Sequence, residues 1–447
     1  MTDTEKILLD LGEKSFLKLW TYLSPYTSKE KIKKEVCDLL VVFGNHVIIF
    51  SDKAIKYKDT GNSQIDWQRW YNKAIEKSAN QIYGAENTLK NYQDTIFSDN
   101  ECTKKLLFPL PNQKDMIIHR IITVPQSKDG AKLKELVGGS GTFVVNPMLK
   151  GKEQHLKEPF QIGQINPSKG FIHVLNETSL KILMHELDTF SDFANYLQEK
   201  EEFILSGNLF GAYGEEDLLT AYLENEHSFD FDNENILIKE GIWNIHKAEE
   251  RYFLKKKANS ISYFWDGIIE HFTKEMLNKR LVRQSEEKPL AIEIALRFMA
   301  SESRLERRVL SQAFISRLEI HKDGQILKRV TNTDDTSDKA YIFIVCNQPS
   351  DMTYDDYVKR RENELHNYAI ALKSKNKCLK DIIGIARESN KISKPTYSLV
   401  YLDCTDWDDS YQNDAENLCK DRGYLNPNIL TKTYVEEDEY PKKNNNN

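Results

Sequence analysis

EVCDLLVVFGNHVIIFSDKAI, residues 35–55, is the stretch on which the fold turns. Two β-rich runs, VCDLLVVF and HVIIFSDK, flank Gly44-Asn45, a dipeptide suited to a tight hairpin. Both runs are apolar almost throughout, which predicts central strands buried on both faces. Side chains alternate along a strand, so Val36, Asp38, Leu40 and Val42 share a face. Val47, Ile49, Ser51 and Lys53 share a face of the next strand, and Asp52 points the other way. An Asp and a Lys among Val, Ile and Leu are costly unless paired or put to use. One reading is a buried Asp38–Lys53 ion pair. The other is phosphodiester hydrolysis, which needs a divalent ion held by carboxylate oxygens and an activated water. A lysine beside the metal orients that water or offsets developing charge.

On the N-terminal side, residues 4–23 carry apolar positions at Leu8, Leu9, Phe16, Leu17, Leu19, Trp20 and Leu23, and the pattern predicts a helix stopped by Pro25. Glu13 lies on its apolar stripe. A basic cluster, Lys29, Lys31, Lys33 and Lys34, leads into the first strand. On the C-terminal side, Trp67, Trp70, Tyr71, Ala74, Ser78, Ile82, Ala85 and Leu89 predict a helix over 66–92, with Asp66 as N-cap. Gln81 sits at the edge of that stripe. Arg69, Lys73 and Lys77 recur every four residues as one row, either an ordinary solvated face or a holder of phosphates. Core packing is the preferred reading of Trp67 and Trp70 over base stacking.

Helix, Asp on a strand, hairpin, x-x-Lys at the end of the next strand, then helix: this order over residues 5–95 resembles the PD-(D/E)xK nuclease superfamily, in its restriction-endonuclease-like, Mrr- and NERD-type branches. The resemblance implies an αβββαβ core that cuts DNA, or less often RNA, with Mg²⁺ or Mn²⁺. Asp38 would match the metal-binding aspartate, Lys53 the motif lysine, Glu13 the supporting acid of the first helix, and Gln81 the polar residue of the later helix. Ser51 departs from the pattern, which has Glu, Asp or Gln two residues before the lysine. The second acid must then come from Glu13, Glu35 or Asp52, or the site has lost its chemistry.

The remaining chain is expected to be a mixed α+β middle region, 106–288, and a C-terminal α/β region, 289–447, with a βαββα pattern and a disordered PKKNNNN tail. The nuclease domain is expected to end near 105. A long helix is predicted over 290–318. Lys255–Lys257 and Arg304, Arg307, Arg308 are secondary candidates for tracking nucleic acid. HELDTFSDF at 185–193 lacks the second histidine of a zinc-protease helix, since position 189 is Thr. Glu215, Glu216 and Asp217 read as acids at a helix start.

Net charge is −7 over 447 residues, which excludes a uniformly basic coat for nucleic acid but permits a local basic groove. No apolar run reaches membrane length, and MTDTEKILLD does not read as a secretory signal, so a cytoplasmic protein without a membrane partner is expected. The six cysteines form no CxxC pair. No P-loop and no GxGxxG following a strand is present, which excludes a motor ATPase and a Rossmann cofactor. The expectation is an α/β, Mg²⁺- or Mn²⁺-dependent endonuclease, by analogy a phage-defence effector, with a homo-oligomer or a defence-complex partner open. The rival is a catalytically degenerate nucleic-acid-binding or regulatory protein on the same fold.

Overall fold

The computed structural model describes residues 19–29, 32–125, 141–231, 235–278, 288–322, 326–331, 337–426 and 437–442. The class is α/β, and the chain divides into two units, 1–252 and 253–447.

The first unit is built on a five-stranded sheet whose spatial order follows the sequence: β1 Thr21–Leu23, β2 Leu39–Phe43, β3 His46–Asp52, β4 Ile117–Val124 and β5 His173–Asn176. β1, β2 and β3 pair antiparallel, while β3, β4 and β5 run parallel. The β2–β3 hairpin turns at Gly44-Asn45, Gly44 takes φ +57°, and Phe43 pairs with His46. A positive φ at no steric cost is what glycine supplies there. A parallel pair needs a long crossover. Helix α1 (Ser63–Tyr71), a π-helical turn (Asn72–Glu76) and helix α2 (Lys77–Asn91) lie within the one from β3 to β4.

Because Leu39 pairs with Phe50, Leu40 stands opposite Ile49 and Val42 opposite Val47. These four side chains, with Ile122 and Val174, form a core with Trp67, Trp70, Tyr71, Ile75, Ile82 and Leu89 of the helices. The two tryptophans are core residues: their indole N–H groups donate to the carbonyls of His155 (2.6 Å) and Ile55 (2.8 Å). The opposite face, with Leu39, Val41, Ile48, Phe50, Ile121 and Leu175, is buried as well.

Several expectations are corrected. Residues 21–23 are strand rather than the end of a helix, because they complete hydrogen bonding along the edge of β2. The N-cap of α1 is Asn62, whose side chain accepts from Ile65 N; Asp66 instead accepts from Thr60. A boundary at 105 would cut the sheet, since β4 and β5 lie beyond it, and the division at 252–253 replaces the one at 288–289.

In the second unit the strands Leu327–Thr331, Lys339–Val345, Asp381–Arg387 and Tyr397–Asp403 form one sheet in that order. Helices Tyr354–Lys375 and Asp409–Arg422 complete a βαββα run, and the first strand was not foreseen. The single helix over 290–318 is two, Lys288–Ala300 and Arg304–Ile320. A capping box at Ser303 and Glu306 starts the second one afresh.

His46, which follows the Gly44-Asn45 turn, is paired with a second histidine. Its Nδ1 lies 3.0 Å from His119 Nε2 and the rings stack. Burial, then the neighbouring His46 and Arg120, hold the His119 pKa at about 3, against an ordinary 6.5. The unfolded chain therefore binds more protons between those values. This contribution to stability is complete above pH 6.5 and is lost as pH falls toward about 3. Unfolding free energy should drop between pH 7 and 5, by roughly 1.4 kcal/mol per pH unit below 6.5 for this group, and thermal midpoints should fall with it. His119→Leu should flatten that drop, and an equal drop in both proteins would refute the assignment.

Candidate functional site

A cleft of about 590 Å³ opens between the end of β3 and helix α2. Thr27, Lys34, Glu35 and Val36 line it from the segment before β2, Lys53 and Ile55 from beyond β3, and Lys73, Lys77, Asn80, Gln81, Gly84, Ala85 and Thr88 from the helical crossover. Lys34, Lys53, Lys73 and Lys77 make no ion pair with any described residue. Nearby lysines behave differently: Lys33 pairs with Glu101 at 3.0 Å, Lys90 with Glu86 at 2.7 Å and Lys152 with Glu76 at 2.8 Å. Four cations against the single carboxylate of Glu35 make the cleft an anion site by charge.

Of the residues singled out in the sequence, Lys53, Gln81, Lys73 and Lys77 meet in this cleft. Lys53 arrives there because it follows β3, with its amide still donating to Thr123 O at 3.1 Å. Gln81 is exposed, off the buried stripe. Arg69 is not part of the lining. A π turn at 72–76 lies between Arg69 and Lys77, and its wider winding changes the helical phase across it. Glu13 lies outside the described residues.

Asp38 is half-buried and not part of the lining. Its Oδ2 accepts the backbone N–H of Asp52 at 2.7 Å, one residue before Lys53, while Asp38 N donates to Phe50 O. Oδ1 has no hydrogen-bond partner among the described residues. Ser51 is buried opposite Asp38 in register, and its hydroxyl has no partner either. Asp52 is buried, with Oδ1 accepting from Thr123 Oγ1 at 2.8 Å.

The secondary candidates resolve differently. Arg304 and Arg307 both bind Asp266, at 2.8 and 2.7 Å. Arg308 is buried and meets Glu437 at 3.4 Å; Lys255 meets Glu439 at 2.5 Å. Each of these four cations is thus paired with a carboxylate within the second unit. Glu215, Glu216 and Asp217 are buried rather than solvated. Asp217 accepts from the amides of Gly241 and Trp243. Glu215 is held by Lys200 Nζ at 2.5 Å and by Tyr196 OH at 2.8 Å.

Glu224, His246 and Glu249 present ligand atoms within 4.8 Å of one another, a grouping the sequence did not suggest. Arg251 donates to both glutamates, so a guanidinium already supplies the positive charge there.

No protein-family model, no curated protein and no solved structure matches the chain.

Proposed function

We propose that the first unit is a Mg²⁺- or Mn²⁺-dependent nuclease, acting on DNA more readily than RNA, with its chemistry at the Asp38–Lys53 end of β2 and β3. The observation that carries this reading is the cleft of four unpaired lysines into which Lys53 opens, with Asp38 tied to the backbone one residue away. A further support is that β1, β2 and β3, the helical crossover and β4 follow one another in the sheet at whose end Asp38 and Lys53 lie. The donor set fits a hard divalent ion in part: Asp38 Oδ1 and the exposed Glu35 carboxylate are oxygen donors, and Mg²⁺ often takes one or two carboxylates and keeps several waters. In this reading Asp38 and a second acid, Glu13 or Glu35, hold the ion. Bound there, it supplies Lewis-acid activation of water. Lys53 orients the attacking group and offsets charge on the phosphate, and Lys73 and Lys77 hold flanking phosphates.

The full chain, incubated with Mg²⁺ or Mn²⁺, is expected to degrade plasmid or linear duplex, and a chelator should stop it. A second reading, binding without cleavage, is favoured by one observation: position 51 presents a buried hydroxyl where the motif needs an acid. Retained binding with no cleavage under either metal would select it. In both readings Lys73→Ala with Lys77→Ala should lower the slope of log K against log salt by about 0.9 per lost duplex phosphate contact. Arg69→Ala should leave that slope alone. The reverse pattern would move the groove off this helix face.

A further inference from the structure

Glycine is among the least favourable residues inside a helix, so one in mid-helix calls for a reason. Two common reasons are close approach of a neighbouring chain and a left-handed backbone. Neither applies at Gly84 in α2. A Cβ built there meets nothing within 4 Å, and no positive φ is needed. Gly84 is exposed and lines the cleft beside Gln81 and Ala85, one turn beyond Asn80 and one turn before Thr88. Gly267, in the helix Tyr263–Leu277 of the other unit, has the same open space but is no part of this cleft. Open space alone therefore does not mark a ligand. Open space on the wall of a cleft bearing four unpaired lysines does.

We propose that Gly84 is the point at which the phosphodiester backbone of a bound nucleic acid crosses helix α2. The proposal rests on the reading of the cleft as a nucleic-acid site. Among the described residues no aromatic side chain lines the cleft, so they offer bases no stacking platform and the contact is to sugar and phosphate. Lys73 and Lys77 supply charge on the preceding turns, and the missing side chain at position 84 lets the strand lie against the helix surface. Gly84 is a positioning residue: it admits the ligand and takes no part in the chemistry.

The test uses the full chain, a short fluorescein-labelled DNA duplex and a chelator, so that binding is read without cleavage. Gly84→Phe is expected to weaken binding by roughly tenfold or more, equivalent to about 1.4 kcal/mol. Its salt slope should stay near the parent's, because no lysine is lost. Gly84→Ala should melt higher than the parent, since helix propensity rises and nothing is displaced. Gly267→Phe should bind like the parent. If folded Gly84→Phe also binds like the parent, or if Gly267→Phe loses as much, the proposal is overturned. A parent that binds no nucleic acid overturns it too. Because cleavage is not measured, a protein that binds but never cuts defeats the nuclease reading and leaves this result intact.

Discussion

Lys53→Ala protein should hold metal about as well as the parent and cut on the order of 10²–10³ more slowly, the usual cost of removing one electrostatic group from a reacting centre. Asp38→Asn should lose both metal affinity and cleavage. Its amide oxygen can still accept the Asp52 N–H that Asp38 Oδ2 takes at 2.7 Å, so the β2–β3 end keeps its shape while the charge is removed. Ser51→Ala is the informative contrast. The Ser51 hydroxyl is buried without a partner, and deleting it leaves no donor or acceptor stranded. Activity and folding should both survive. Glu35→Gln and Glu13→Gln then identify the second acid: the one whose loss abolishes cleavage supplies it. Single-turnover cleavage and isothermal titration of Mn²⁺ are the measurements. Folded Asp38→Asn and Lys53→Ala proteins that cut at the parental rate would show the site to be elsewhere.

Lys200→Met is expected to have the largest effect on stability in the first unit. Lys200 and Glu215 are both buried, at 2.5 Å, and removing the lysine leaves a carboxylate in the interior with Tyr196 OH as its remaining partner among the described residues. Breaking one half of a buried pair costs about 3–5 kcal/mol. For a unit of this size that is a fall in thermal midpoint on the order of 10 °C. Lys200→Met with Glu215→Leu should recover most of the loss, because neither charge is then stranded. The recovery should be incomplete, since the Tyr196 hydroxyl loses its acceptor. A double variant no more stable than the single one would mean that packing around position 200, not charge, sets the cost.

The strands that carry the candidate site were legible because each is a long run of Val, Ile, Leu and Phe, and Gly44-Asn45 fixes where the chain reverses. From that register, Asp38 and Lys53 at neighbouring strand ends follow by counting. The edge strand Thr21–Leu23 was not legible: three residues at the end of an apolar stripe fit a helix locally, and only the open edge of β2 makes them a strand. The π turn at Asn72–Glu76 has no signature in composition, so a row counted at four-residue spacing across it takes no account of the change in winding. The burial of Glu215–Asp217 escaped notice for a related reason. Acids in a first turn look alike whether they face water or a lysine fifteen residues upstream, and the distinction lies in the helix Phe190–Ser206 that brings Lys200 over them. The cleft itself combines Lys34, Lys53 and Lys77 from three separate segments, which no single window of sequence displays.

The parallel ladder on the far side of β3 has a consequence for how this protein is made. Hydrogen bonds from His46–Asp52 go to Ile117–Val124, and that strand in turn waits for His173–Asn176. During synthesis the hairpin bearing Lys53 emerges well before the strand that will cover its edge. For that interval a row of unpaired amides and carbonyls on an apolar strand is open to any other strand nearby. A nascent chain halted near residue 105 is thus a candidate for aggregation, however complete its motif looks. The ribosome, and whatever chaperone attends it, must carry the chain past residue 176 before the sheet that bears the cleft can close.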